Sequence, residues 1–271
     1  MATTISTSIN HALYDQQAPV FDQRVGLTQP RCEQIVTAIE QLSGFDQQAT
    51  LVEMGCGTGE LGSLLAARFV HYLGIDLSLA MLKQTKAHHQ AQNIPLVQAD
   101  GNKTWPVADH QADIIFSSRA IHWINPNHTV NEIVRIANKT KAMFIIGRVE
   151  RSRDSWESQL RQQCHQLLKH EGLMPLNGGQ HLKQLCNQFR ECGAEILPSQ
   201  TVYHWHQPRT YQQSLEDWAD KPGLAGTTLS QAAKQKILTS LNKWAIEHFG
   251  SHLPTQTERH YVLYPINLRS R

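Results

Sequence analysis

The sequence has little net charge, few charged residues for its size and no long apolar run. Its 25 Lys+Arg stand against 23 Asp+Glu. A net +2 supplies no basic field for neutralising bulk phosphate, which excludes a general nucleic-acid binder. Charged residues make up 18% of the 271 residues, below the roughly 25% usual in globular domains, so a disordered polyelectrolyte is excluded too. No stretch approaches the ~20 apolar residues of a membrane span, and MATTISTSINHALYDQ at the start lacks the apolar centre of a secretory signal. The five cysteines (32, 56, 164, 186 and 192) are odd in number and scattered. With no C-x-x-C and no H-E-x-x-H, neither a disulfide framework nor a metal site is expected. No repeat of roughly 20–50 residues and no Pro/Gly/Ser-rich linker occurs. What remains is a cytoplasmic globular protein, 40% hydrophobic and long enough to bury a core. The sequence names no oligomeric state.

The apolar residues are patterned as alternating helices and strands. Residues 29–43 carry Ile35, Val36, Ile39 and Leu42 at helical spacing, with Pro30 early and Gly44 just beyond. A strand at Leu51-Val52-Glu53-Met54 follows, then a helix over 61–69, a strand at 72–76 and a helix that Ser78 caps. Strands at 96–100, 112–117 and 142–149 continue the series, with a helix over 129–137. Strands separated by helices call for parallel pairing through right-handed crossovers, hence a doubly wound α/β sheet. After about residue 150 the pattern becomes helical (153–170, 180–191, 211–219, 229–249), with strands expected at 195–205 and 259–268. With no linker, one domain with a helical cap is expected.

The strongest motif is L-V-E-M-G-C-G-T-G-E-L-G, with glycines at 55, 57, 59 and 62. Glycine is needed where a strand turns sharply into a helix and the backbone approaches a ligand. Gly57, Gly59 and Gly62 also satisfy G-x-G-x-x-G, so a dinucleotide reading is weighed. Against it stand Glu53 two positions before Gly55, the alternation Gly55, Gly57, Gly59, and acids closing two further strands at Asp76 and Asp100.

These residues resemble the class I S-adenosylmethionine-dependent methyltransferases, specifically their small-molecule branch. The hallmark E/D-x-G-x-G-x-G appears as Glu53-Met54-Gly55-Cys56-Gly57-Thr58-Gly59, followed by Asp76 in GIDLS, Asp100 in QADGN and the segment ADIIFSSRAIHWI. The resemblance covers about residues 10–150. It implies a mostly parallel, seven-stranded Rossmann-like sheet with a helical cap inserted in the C-terminal half. It divides the single domain into an N-terminal lid segment (1–28), a cofactor-binding core (29–150) and C-terminal strands with a substrate cap (151–271). It also implies S-adenosylmethionine as cofactor and S-adenosylhomocysteine as product. Glu53 would place the cationic amino group, Asp76 would accept the ribose hydroxyls, and Asp100 with the Gly101 amide would read the adenine edge. Leu77 and Met81 would flank the adenine, Ser117 would lie near the methionine chain, and Cys56 is a small buried member of the loop. Tyr14 and Arg24 are the candidates to reach the carboxylate from the N-terminal segment.

The acceptor is addressed by Ser117-Ser118-Arg119-Ala120-Ile121-His122-Trp123-Ile124-Asn125. An H/Q-W pair at this place recurs in carboxyl methyltransferases of the trans-aconitate, juvenile-hormone-acid and salicylate types. By resemblance, Trp123 grips a carboxylate oxygen and His122 is a second donor or orienter. An ionised acid (pKa ~4) needs no base, whereas a phenol or ammonium does. The expected function is therefore O-methylation of a carboxylate on a small molecule or short peptide, with a tailoring step in secondary metabolism as a setting. The alternatives are N- or phenol-O-methylation with His122, His11 or His204 as base, and a non-catalytic S-adenosylmethionine-binding partner. The N/D-P-P-Y motif of amino-type DNA methyltransferases is absent.

Overall fold

Pro30 in the first turn and Gly44 in left-handed conformation (φ 60°) bound the first helix, α1 (Gln29–Ser43), which buries Ile35, Val36 and Ile39. The computed structural model describes residues 27–88, 94–221, 223–250 and 256–268, so Tyr14, Arg24 and His11 lie outside the described residues. Next come β1 (Thr50–Met54), α2 (Gly62–Arg68), β2 (His71–Asp76), α3 (Leu79–His88) and β3 (Leu96–Gln98). They are followed by β4 (Ile114–Ser118), a 3-10 turn (Ile121–Trp123), α4 (Pro126–Ile136) and β5 (Met143–Arg151). Ser78 caps α3 as expected, its hydroxyl accepting from Met81 N at 3.2 Å.

β1 pairs in parallel with β2 and with β4, β2 with β3, and β4 with β5. β1, β4 and the first half of β5 are buried along nearly their whole length, as strands covered on both faces must be. The chain leaves β1 toward β2 and β3 on one side and places β4 and β5 on the other. The strand order therefore reverses between β1 and β4, and ligands bind at the carboxyl ends of strands at such a switch point.

The remaining elements are α5 (Trp156–His170), α6 (Gly178–Glu191), β6 (Glu195–Ile196), β7 (Gln200–Pro208), α7 (Tyr211–Ala219), β8 (Gly223–Leu224), β9 (Thr227–Thr228), α8 (Gln231–Phe249) and β10 (Gln256–Asn267). The main sheet runs β3-β2-β1-β4-β5-β10-β6, with β7 also paired to β10. It thus has eight strands rather than seven, because the strand expected over 195–205 is two. Pro198 between them has no N–H to give the ladder. β8 and β9 form a separate small hairpin turning through Ala225 and Gly226, both at positive φ.

The described residues divide into two compact units, and the division falls within β5, α6, β7 and β10. One comprises 27–88, 94–148, 181–202 and 262–268; its core includes Val52, Ile75, Ile115, Phe144, Phe189 and Ile266. The other comprises 149–180, 203–221, 223–250 and 256–261. There α5 buries Trp156, Leu160, Cys164 and Leu168 at four-residue spacing against Tyr211 and Leu241. Among the described residues no helix is long and apolar enough to cross a membrane.

Candidate active site

At the carboxyl end of β1 the chain turns through Gly55 and Gly57, both in the left-handed region at φ 76° and 56°. Gly55 N–H donates to Ile75 O at 2.7 Å, and a Cβ at Gly55 would stand 2.1 Å from the Ala120 Cβ. The glycine thus lets the segment after β4 close onto the loop. At Gly57 a Cβ would meet nothing within 4 Å, so the backbone there faces open space. Cys56 is buried, its thiol pushed well up by burial and the nearby Glu53 and Asp76 charges. Gly59 completes the turn with its N–H on Cys56 O at 3.1 Å.

Asp76 ends β2 and accepts from Gly57 N at 2.8 Å and from Ser78 N at 2.8 Å. One carboxylate therefore fixes both the glycine loop and the start of α3. Thr85 adds a second tie, donating its hydroxyl to Gly57 O at 2.9 Å. Leu77 is half-buried and Met81 is 2% exposed. Asp100 accepts from Asn102 N at 2.9 Å, and Gly101 O accepts from the buried Trp105 indole at 2.9 Å. Ser117 is fully buried and donates its hydroxyl to Met54 O at 2.8 Å, tying β4 to β1.

Glu53 is 2% exposed and accepts the Tyr72 hydroxyl at 2.6 Å. Burial raises its pKa from 4.5 to about 7; the Tyr72 hydrogen bond opposes this and the Asp76 charge adds to it. The charges of Glu60 and Arg119, themselves paired at 2.8 Å, also act on it. Three carboxylates thus surround the loop against one guanidinium, an acidic surrounding suited to a cationic ligand. Arg119 holds φ 60° at the exit from β4 and donates its N–H to Gly147 O at 3.0 Å.

Beyond it, the 3-10 turn presents His122 and Trp123, both half-buried, with ring centroids 5.2 Å apart. Burial pushes the His122 pKa down to about 4, and the charges of Arg148 and His181 push the same way. His181 donates to the Ile121 carbonyl, while its Nε2 is buried with no hydrogen-bond partner among the described residues. The surroundings of His122 are basic where those of Glu53 are acidic. The structure brings Glu53, Gly55, Gly57 and Asp76 into one constellation. Sequence reasoning missed Tyr72, Glu60, Thr85, Arg119, Arg148 and His181. For Tyr72 the signal was its place one strand over from Glu53; Arg119 is a cation directly after a buried strand.

Residues 52–145 match the family described as Methyltransferase domain. The chain carries a class I S-adenosylmethionine-dependent methyltransferase domain. Among curated relatives of the methyltransferase domain, the malonyl-[acyl-carrier protein] O-methyltransferase of Methylococcus capsulatus is 23% identical over 219 residues, covering 71% of this chain and 78% of that one. The enzyme of the same name from Priestia megaterium is 25% identical over 118 residues, 43% of this chain and 42% of its own. The trans-aconitate 2-methyltransferase of Deinococcus radiodurans is 37% identical over 82 residues, 30% of each chain. The chain spans about a third to a half of the length of most of the curated relatives it matches. Among solved structures, the YcgJ protein from Bacillus subtilis superposes with a TM-score of 0.56 at 16% identity, covering 87% of this chain and 98% of that one. The [4+2]-cyclase SpnF does so with 0.58 at 17%, covering 96% and 95%. These likenesses show the fold, and a cyclase among them illustrates that the fold alone does not set the reaction. S-adenosylmethionine is the cofactor of the methyltransferase domain.

Proposed function

We propose that the chain is a methyltransferase that uses S-adenosylmethionine to esterify a carboxylate on a small molecule or short peptide. The observation that carries the acceptor class is the low basicity of His122. With a pKa of about 4, its imidazole is neutral at working pH and too weak a base to take a proton from a phenol or an ammonium group. Such a transfer would run uphill by roughly six pKa units from a phenol of pKa ~10. A carboxylic acid is already ionised and needs only to be held in line with the methyl group, so positioning supplies the catalysis. Trp123 suits the grip because its indole N–H donates and cannot compete as a nucleophile. Neutral His122 adds a second donor, and the charge of Arg148 acting on His122 favours an anion there. His204, the other described candidate base, is exposed on β7. Two of the relatives are named for malonyl and aconitate substrates, both of which bear carboxylates, and a carrier-bound acid fits the same chemistry.

The residues present fit the cofactor. The backbone open at Gly57 leaves room for a ligand, and the acidic surroundings match a molecule bearing an ammonium and a sulfonium. When bound, S-adenosylmethionine supplies an electrophilic methyl group. Glu53 would hold the ammonium, Asp76 the ribose hydroxyls, and Asp100 with the Gly101 amide the adenine edge; Leu77 and Met81 would flank the ring. Ser117, with its proton on Met54 O, positions the end of β4 rather than donating to a ligand. The helical segments after residue 150 are assigned to acceptor choice. Turnover of a carboxylic acid is expected to stay level from pH 6 to 9 at saturating cofactor and acceptor. A rate climbing tenfold per pH unit in that range would mean that a base must first deprotonate the acceptor, against this reading.

A further inference from the structure

The unit built from α5, α7 and α8 holds a charge cluster that methyl transfer does not use. Glu157, in the first turn of α5 and 5% exposed, accepts from Arg151 Nε and, at 2.9 Å, from Arg259 Nη2. Arg209 Nε lies 3.9 Å from the same carboxylate, and Arg209 also pairs with Asp217 and donates to Ser214 Oγ at 2.9 Å. One turn further along α5, Arg161 experiences the charges of Arg151, Glu157 and Arg259, with its guanidinium 5.6 Å from the centre of the Trp218 ring. Arg161 is exposed and forms no ion pair among the described residues. Arg151 and Arg259 outweigh the burial of Glu157 and keep its pKa below the ordinary carboxylate value, so it is ionised.

Four guanidinium groups therefore meet two carboxylates, an excess of two positive charges. Arg259 is only 4% exposed, and its Nε is buried with no hydrogen-bond partner among the described residues. Burial, and then the charge of Arg151, hold its pKa below the ordinary arginine value. If the cluster only tied β5, β10 and the end of β7 to α5, one arginine on each Glu157 oxygen would suffice. Gathering further like charges around a buried carboxylate is unfavourable unless an anion completes the set. Guanidinium forks match tetrahedral and planar oxyanions bidentately, and an excess of two is balanced by a dianion. The cluster is also graded in access, from buried Arg259 through Arg151 and Arg209, about a fifth exposed, to open Arg161.

We propose that Arg151, Arg161, Arg209 and Arg259 form an anion site that takes a doubly charged phosphate group, either free phosphate or a phosphate monoester on a larger molecule. The test uses the full chain without cofactor or acceptor, so its outcome is independent of the methyl-transfer reading. Thermal unfolding and titration calorimetry are run at pH 7.5 with inorganic phosphate and with methyl phosphate, against chloride at matched ionic strength. Either phosphate should raise the melting temperature saturably. Binding of both points to a monoester-bearing ligand, and binding of inorganic phosphate alone points to the free ion. Arg161→Gln should weaken that binding about tenfold or more, the loss of a charge-assisted contact. Because Arg161 makes no ion pair among the described residues and adds to the like-charge excess, this variant should melt no lower than the parent in chloride. Phosphates no more stabilising than chloride, or an Arg161→Gln protein that binds them as tightly as the parent, would overturn the proposal.

Discussion

Affinity for S-adenosylmethionine is expected to strengthen as pH rises through 7, because the carboxylate facing its ammonium group must first ionise. Burial lifts Glu53 from 4.5 to about 7 in the free protein. For one site with that pKa, about one-eleventh of the molecules carry the anion at pH 6 and about ten-elevenths at pH 8. Ionisation of Glu53 by itself should therefore lower the apparent Kd about tenfold between these pH values, a difference of ~1.4 kcal/mol. About three- to fivefold of this is left once the ligand's own titration is included. The ligand's own α-amino group, with an ordinary pKa of ~7.7–8.0, is already half or more neutral at pH 8, and above that pH affinity falls again. The profile is a bell whose acid limb belongs to Glu53. Titration calorimetry from pH 5.5 to 9 would trace it. Glu53→Gln should remove the acid limb. Tyr72→Phe, by deleting a hydrogen bond that lowers the Glu53 pKa, should move that limb to higher pH. Stability runs in the opposite direction. Because the folded pKa is raised, the contribution of Glu53 to stability is complete below pH 4.5 and is lost as pH rises through 7. The shift corresponds to about 3 kcal/mol, so Glu53→Gln should make the cofactor-free protein more stable at pH 8 by up to that amount. An acid limb that persists in Glu53→Gln, or an affinity unchanged between pH 6 and 8, would refute the assignment of Glu53 to the ammonium group.

The two glycines at the turn should respond differently to alanine. Gly55→Ala forces a Cβ to 2.1 Å from the Ala120 Cβ at φ 76° and should cost about 2–5 kcal/mol in denaturant unfolding, of which Ala120→Gly restores only the steric part. Gly57→Ala meets no atom, so it should cost only about 1–2 kcal/mol of backbone strain yet weaken cofactor binding more than tenfold, as measured by calorimetry. Trp123→Phe keeps a ring but removes the donor. Turnover of an acid should fall about ten- to a hundredfold in a steady-state assay, the loss of a hydrogen bond to a charged group, while cofactor affinity stays as it was.

The parallel half of the fold is written locally. Pro30 and Gly44 bound α1, Ser78 caps α3, and the apolar runs of β1, β4 and β5 announce strands covered on both faces. The glycine loop and Asp76 were legible for the same reason: left-handed backbone and a strand-end acid leave signals in sequence. Elements set by a single residue or by short pairing were not. Pro198 splits the expected strand into β6 and β7, and the two-residue strands β8 and β9 are too short to show alternation. Side-chain relations across strands leave no spacing rule. The Tyr72 hydroxyl on Glu53 crosses from β2 to β1, and His181 reaches the turn bearing His122 from α6. Glu157 and Arg259 meet only through the tertiary fold. Ser117, which the resemblance places near the methionine chain, donates its hydroxyl to Met54 O in the structure, a partner the strand pattern did not specify.

The measurement that bears most directly on the central claim is the chemical nature of the product. S-adenosylmethionine labelled in its methyl group would be incubated with the enzyme and a panel of acids, amines and phenols, and each labelled product treated with mild alkali. The account predicts that the label is released as methanol, the signature of a methyl ester. Label that survives alkali, as an ether or N-methyl group would, contradicts it.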